Sequence, residues 1–175
     1  MVVTAMPLTG TIVKDLLSHK ALAYDDFYEE DYDENDYFES GEYECRIEEE
    51  GKISIIKYKG GAAEVVIPSE INGYTVGYIG EYAFSPMAET ESGDEVIKYP
   101  DCNNLVSVTV PSTAIEIGYR AFFYCQNLEN VILSEVLEYI GVIAFAECIK
   151  LRTVDLPSTL VQFDTSAFFG TAIEE

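Results

Sequence analysis

The stretch Leu105-Val-Ser-Val108-Thr-Val110-Pro111-Ser-Thr-Ala114-Ile-Glu-Ile117-Gly118-Tyr-Arg-Ala121-Phe122-Phe-Tyr-Cys125 decides the fold, because it recurs. Twenty-three residues later Leu128, Val131, Leu133, Leu137, Ile140, Gly141, Ala144, Phe145 and Cys148 stand at the same places. A further 23 residues on come Leu151, Val154, Leu156, Pro157, Leu160, Phe163, Ala167 and Phe168. The aligned copies are Asn104–Gln126, Asn127–Ile149 and Lys150–Ala172. A looser copy lies upstream in Val65-x-Ile67-Pro68, Ile79-Gly80 and Ala83-Phe84. It carries extra residues around Ile71–Thr75 and an insertion, Ser85–Asp101, ahead of Cys102. A fixed period held at this many positions is the mark of a repeat architecture.

Each copy has one physical reading. Leu-x-x-Val-x-Val alternates apolar and polar residues, as a short half-buried strand does. Proline then ends the strand, since it cannot donate to a ladder. Ile-Gly-x-x-Ala-Phe spaces its apolar groups as a helical or 3₁₀ turn would. One such unit cannot hide its apolar face, whereas a stack of them can. The expected fold is an α/β repeat solenoid of about four coils. It has a parallel sheet on one side and 3₁₀ or helical turns on the other.

The same residues carry a resemblance. Leu105-x-x-Val108-x-Val110-Pro111 through Ile117-Gly118-x-x-Ala121-Phe122-x-x-Cys125 resembles the BspA-type leucine-rich repeat, over roughly Ala62 to Ala172. Ser134 in place of proline, Asp164 in place of glycine and Thr171 in place of cysteine are mild departures. The resemblance implies a right-handed superhelix preceded by a β-hairpin cap. It also implies a module of secreted or surface-attached bacterial proteins that binds host proteins or other cells. The family has no shared active site, so no catalytic residue is carried over.

Composition narrows the function independently. The chain has 175 residues, 48% of them apolar, which is enough for a proper core in one domain with or without a tail. Its 32 acidic against 10 basic residues give a net charge of -22. Such a surface repels phosphate backbones and anionic lipid, which excludes nucleic acid as a partner. It favours a partner with a basic patch. No run of apolar residues is long enough to span a bilayer as a helix.

The flanks differ from the repeats. Residues 1–23 read as an export-signal remnant or a mobile N-terminus; Ala21-Leu22-Ala23 looks like a cleavage site, but the apolar run before it is short. Residues 24–41 read as an acidic, tyrosine-rich linker, Tyr24–Glu50 holding 14 carboxylates and the single base Arg46. Residues 42–60 read as the hairpin cap, with Glu49-Glu50-Gly51 at its turn, and 61–175 as the repeats, interrupted at 85–101.

Reactive constellations are scarce. Asp31–Glu42 has the oxygen spacing of a calcium loop, but Asp36 occupies the place where the sharp turn needs glycine. A plain acidic linker accounts for it better. Cys102, Cys125 and Cys148 share one repeat phase and are expected to stack inside as small apolar groups, with a crosslink as the alternative. No Cys-x-x-Cys pair, nucleophile elbow or repeat-borne histidine is present, so no metal, cofactor or catalytic residue is assigned.

What remains is surface. With Val108 and Val110 pointing in, the outward strip is Glu64, Val66, Ser107, Thr109, Asn130, Ile132, Thr153 and Asp155. Repeat proteins bind on such faces. The insertion, with Tyr99 among its apolar residues, is the second candidate. The expected function is a non-catalytic module that binds a protein or glycan through the strip and the insertion. The alternative is a structural fragment of a longer array that self-associates end to end.

Overall fold

The computed structural model describes residues 36–90 and 92–173. Thirteen strands are formed there: β1 (Tyr37–Ser40), β2 (Tyr43–Ile47), β3 (Lys52–Tyr58), β4 (Glu64–Val66), β5 (Glu70–Ile71), β6 (Tyr74–Ile79), β7 (Met87–Glu89), β8 (Glu95–Ile97), β9 (Ser107–Thr109), β10 (Glu116–Ile117), β11 (Asn130–Ile132), β12 (Tyr139–Ile140) and β13 (Gln162–Phe163). The smaller parallel sheet has the order β11-β9-β4. The larger runs β1-β2-β3-β6-β10-β12-β13, with β5 against β6, and β7 pairs β8 in the insertion.

Two expectations need correction here. The Ile-Gly segment is a strand rather than a helical turn, so β6, β10, β12 and β13 build a second parallel sheet. Two-residue strands are too short to show alternation, which is why periodicity misassigned them. Among the described residues there is no α-helix, so this part of the chain is sheet-rich rather than α/β. The Ala-Phe segment is a run of tight turns. In it the Ala121 N–H donates to the Gly118 carbonyl at 3.3 Å and the Phe123 N–H to the Arg120 carbonyl at 3.0 Å.

Successive coils lie in register, with Val108 opposite Val131 and Val65, and Ile117 opposite Ile140 and Ile79. The interior is therefore made of columns. Leu105, Leu128 and Leu151 form one, all buried. The aromatic column is continuous: centroids of Tyr58, Phe84, Phe122, Phe145 and Phe168 follow at 5.0, 5.0, 4.9 and 5.3 Å, all stacked. Offset stacking adds about 1 kcal/mol per pair to the burial itself.

Glycine makes the close approach possible. A Cβ on Gly141 would meet the backbone of Gly118 at 2.7 Å, and one on Gly80 the Ile55 carbonyl at 2.9 Å. The inter-coil bonds there are short, 2.8, 2.7 and 2.8 Å from the N–H groups of Gly80, Gly118 and Gly141. Asp164, which takes the glycine's place in the last coil, donates to the Ile140 carbonyl at 3.2 Å.

The N-terminal unit continues the stack. β2 and β3 form an antiparallel pair, and β3 runs parallel to β6. Tyr58 closes β3 in the role of a coil phenylalanine: its N–H donates to the Ala83 carbonyl at 2.7 Å, as that of Phe84 does to Ala121. Tyr37–Ser40, assigned to the linker by composition, is strand β1 paired with β2. Phe38 explains this, since its ring packs 5.8 Å from that of Tyr74 and ties the segment to the core. The cleavage-site pattern and residues 31–35 of the calcium-like spacing lie outside the described residues.

Candidate functional site

The smaller sheet carries the predicted strip in two rows. Glu64, Ser107 and Asn130 are opposite one another, and so are Val66, Thr109 and Ile132. Between the rows Val65, Val108 and Val131 are buried, as pleating requires. Val66 is 75% and Ile132 60% exposed, so two branched apolar side chains flank Thr109 in the open. Thr153 and Asp155 are exposed but belong to no strand, so the sheet ends at β11 rather than reaching the last coil. Burial explains the loss of register: Val154 is only partly covered and Leu156 is 37% exposed, where Val110 and Leu133 are buried.

Tyr99 is engaged elsewhere. Half-buried, its ring lies over the Lys57 ammonium, 3.9 Å from Nζ to centroid. Nζ donates to the carbonyls of Ser85 at 2.7 Å and Tyr82 at 3.0 Å. Burial pulls the Lys57 pKa down to about 8. Sequence reasoning missed this cation and also Arg120, which is 2% exposed. Arg120 Nη1 pairs with Glu95 of β8 and donates to the Tyr82 hydroxyl. Its guanidinium lies 4.9–5.4 Å from the ring centroids of Tyr119, Phe123 and Tyr82. Tyr82 and Ile143 fill its place in neighbouring copies, a departure from pattern that was visible in the alignment. Together Lys57 and Arg120 pin the inserted hairpin to the first two coils.

The insertion leaves the stack for a stereochemical reason. Tyr124, Glu147 and Gly170 share one phase and have φ of 63°, 63° and 70°. Pro86 occupies that phase in the first coil, and a proline ring forbids positive φ. Tyr124 and Glu147 donate their N–H to the next coil, to the Ala146 and Phe169 carbonyls. Pro86 has no N–H, and the buried Ser85 hydroxyl donates instead to the Phe123 carbonyl at 2.7 Å.

The four cysteines are free and buried. Cys102, Cys125 and Cys148 donate to the carbonyls of Tyr58, Phe84 and Phe122 at 3.3, 3.3 and 3.2 Å. Burial raises all four thiol pKa values, that of Cys45 to about 11. These are structural thiols held protonated, not nucleophiles. Among the described residues no group of three or more His, Cys, Asp or Glu could hold a metal ion. No helix among them is long and apolar enough to cross a membrane.

Repeated coils, stacked in register through the larger sheet and three of them also through a solvent-facing smaller sheet, define a repeat scaffold. The chain belongs to the BspA-type leucine-rich repeat family. The family model described as "BspA type Leucine rich repeat region (6 copies)" matches residues 97–175. A leucine-rich repeat protein from Bacteroides capillosus is 32% identical over 80% of this chain and 96% of its own, with a TM-score of 0.64. One from Bacteroides ovatus is 26% identical over 77% of this chain, with a TM-score of 0.62. A leucine rich cell surface protein from Faecalibacterium prausnitzii is 28% identical over 67% of this chain, with a TM-score of 0.56. The chain spans only 33% and 30% of those last two proteins. Comparison with curated proteins gives no match. Proteins of this family are typically non-enzymatic and mediate protein interactions.

Proposed function

We propose that the chain is a non-catalytic recognition module of a secreted or cell-surface bacterial protein, its coils wound as a right-handed superhelix. It binds a protein or glycan partner on the outward face of the smaller sheet. The observation that carries this reading is the pair of in-register rows, with Val66 and Ile132 exposed on either side of Thr109. Two apolar contacts framed by Glu64, Ser107 and Asn130 offer a flat patch with hydrogen-bonding groups, which suits a broad partner better than a small ligand. The inserted hairpin, fixed by Arg120 and Lys57, presents Val96 and Ile97 as a second contact. The relative named as a cell surface protein supports the location.

The test is a panel of purified surface proteins and glycans, probed with the wild-type chain and a Val66→Glu/Ile132→Glu variant. Binding by the wild type and loss in the double variant is expected. Equal binding by both would discard the strip as the site.

A second reading, end-to-end self-association, is favoured by Leu156 and by Val161, 82% exposed, on the last coil. Sedimentation velocity across a hundredfold concentration range separates the two, a constant monomer counting against association.

A further inference from the structure

The larger sheet carries a row of its own. Its pairings place Tyr37, Arg46, Ser54, Tyr78, Glu116, Tyr139 and Gln162 side by side, one from each of β1, β2, β3, β6, β10, β12 and β13. On β6, β10 and β12 the next residue, Ile79, Ile117 or Ile140, is buried. The row is therefore on the outer face. Toward its β1 end the charges are satisfied: Glu48 accepts from Arg46 Nη2 at 2.8 Å and from the Ser54 hydroxyl at 2.5 Å.

Further along they are not. Glu116 is half-buried between Tyr78 and Tyr139, which are half-buried too. Among the described residues its carboxylate makes no hydrogen bond or ion pair. Burial and the charge of Glu48 both raise its pKa. The chain has 10 basic residues against 32 acidic ones, and among the described residues no lysine or arginine is paired with this carboxylate.

We propose that Tyr78, Glu116 and Tyr139 seat one arginine side chain of a basic partner protein. Strands lie about 4.8 Å apart, so the two tyrosine columns stand about 10 Å from each other with the carboxylate between them. A guanidinium placed over Glu116 lies within about 6 Å of either ring, the range of cation–π attraction. Its planar fork also matches the carboxylate in two parallel hydrogen bonds. The site thus supplies charge and stacking together. It is independent of the smaller sheet.

The test uses ¹⁵N-labelled full chain titrated with the blocked peptide acetyl-Gly-Arg-Gly-Arg-Gly-amide at 0.15 M salt. Shift changes are expected to concentrate at Tyr78, Glu116, Tyr139 and Gln162. Glu116→Gln, nearly isosteric, is expected to weaken binding about tenfold. Glu138→Gln, which removes an exposed charge next to β12, is expected to leave it within about twofold. Tyr139→Phe is expected to retain binding and Tyr139→Leu to lose it, each checked for an unchanged fold by its spectrum. Val66→Glu/Ile132→Glu leaves this binding intact, so its failure and that of the smaller sheet are read separately. Equal weakening by E116Q and E138Q, or shifts scattered over all acidic surfaces, would overturn the proposal in favour of diffuse attraction.

Discussion

Replacing Gly141 with alanine is the sharpest probe of the stack. The added methyl would sit 2.7 Å from the Gly118 carbonyl carbon and 2.8 Å from the Tyr119 nitrogen. Both are backbone atoms, so no side chain can swing away. Ordinary contact begins about 0.7 Å farther out, and the coils must part by that much. The 2.8 Å bond from the Gly141 N–H to the Ile117 carbonyl would then stretch to about 3.5 Å, the edge of useful geometry. Overpacking of this kind costs about 1–3 kcal/mol and a weakened hydrogen bond about 1. Alanine returns about 0.4–1 kcal/mol by stiffening the unfolded chain. The net expected loss is about 2 kcal/mol. Asp164 shows the direction, since with a side chain at this phase the bond is 3.2 Å. The assay is urea unfolding followed by far-UV circular dichroism, where a midpoint fall of about 1 M is expected. Asp164→Gly is the companion variant and is expected to stay within about 1 kcal/mol of wild type. If Gly141→Ala unfolds within 0.5 kcal/mol of the parent, glycine is not what lets the coils approach.

Two further outcomes follow from the interior. Phe122→Ala empties a ring stacked on both sides and is expected to cost about 3–5 kcal/mol, more than Phe168→Ala at the end of the column; equal losses in urea would contradict the stacked arrangement. Raising the pH is expected to destabilise the protein steeply above about pH 9. The buried thiols keep protons that the unfolded chain releases, so their contribution is complete below the ordinary thiol pKa and fades as pH climbs toward the raised values. Each thiol contributes about 1.4 kcal/mol per pH unit in that window. Lys57, lowered to about 8, works the opposite way up to its ordinary pKa and offsets about one of the four. Thermal melts under reducing conditions from pH 7 to 10.5 measure the slope, and a flat profile would refute the assignment.

Repetition made the fold legible. Leu105, Val108, Phe122 and Cys125 announce their burial by recurring at 23, and each is buried. The outward rows followed from simple alternation about Val108. The larger sheet stayed hidden because Glu116-Ile117 and Tyr139-Ile140 are strands of two residues, held by neighbours in space rather than by local pattern. Lys57 and Arg120 escaped notice for a related reason. A buried cation is recognised by its partners, and Ser85, Glu95 and Tyr99 come from an insertion that no period predicts. Composition also misled at Tyr37–Ser40, where one inward phenylalanine outweighs the surrounding acid.

The Ser85–Pro86 pair shows how such a scaffold can acquire new parts. A proline at the left-handed joint turns the chain outward, and the preceding hydroxyl mends the bond to the coil beyond. Tyr124 and Glu147 are the same joint in later coils. Writing Ser-Pro in place of Ala146-Glu147 is expected to open a doorway for a grafted loop, whereas at Tyr124 it would strip the Phe123 ring from Arg120; the array is extensible sideways as well as lengthwise.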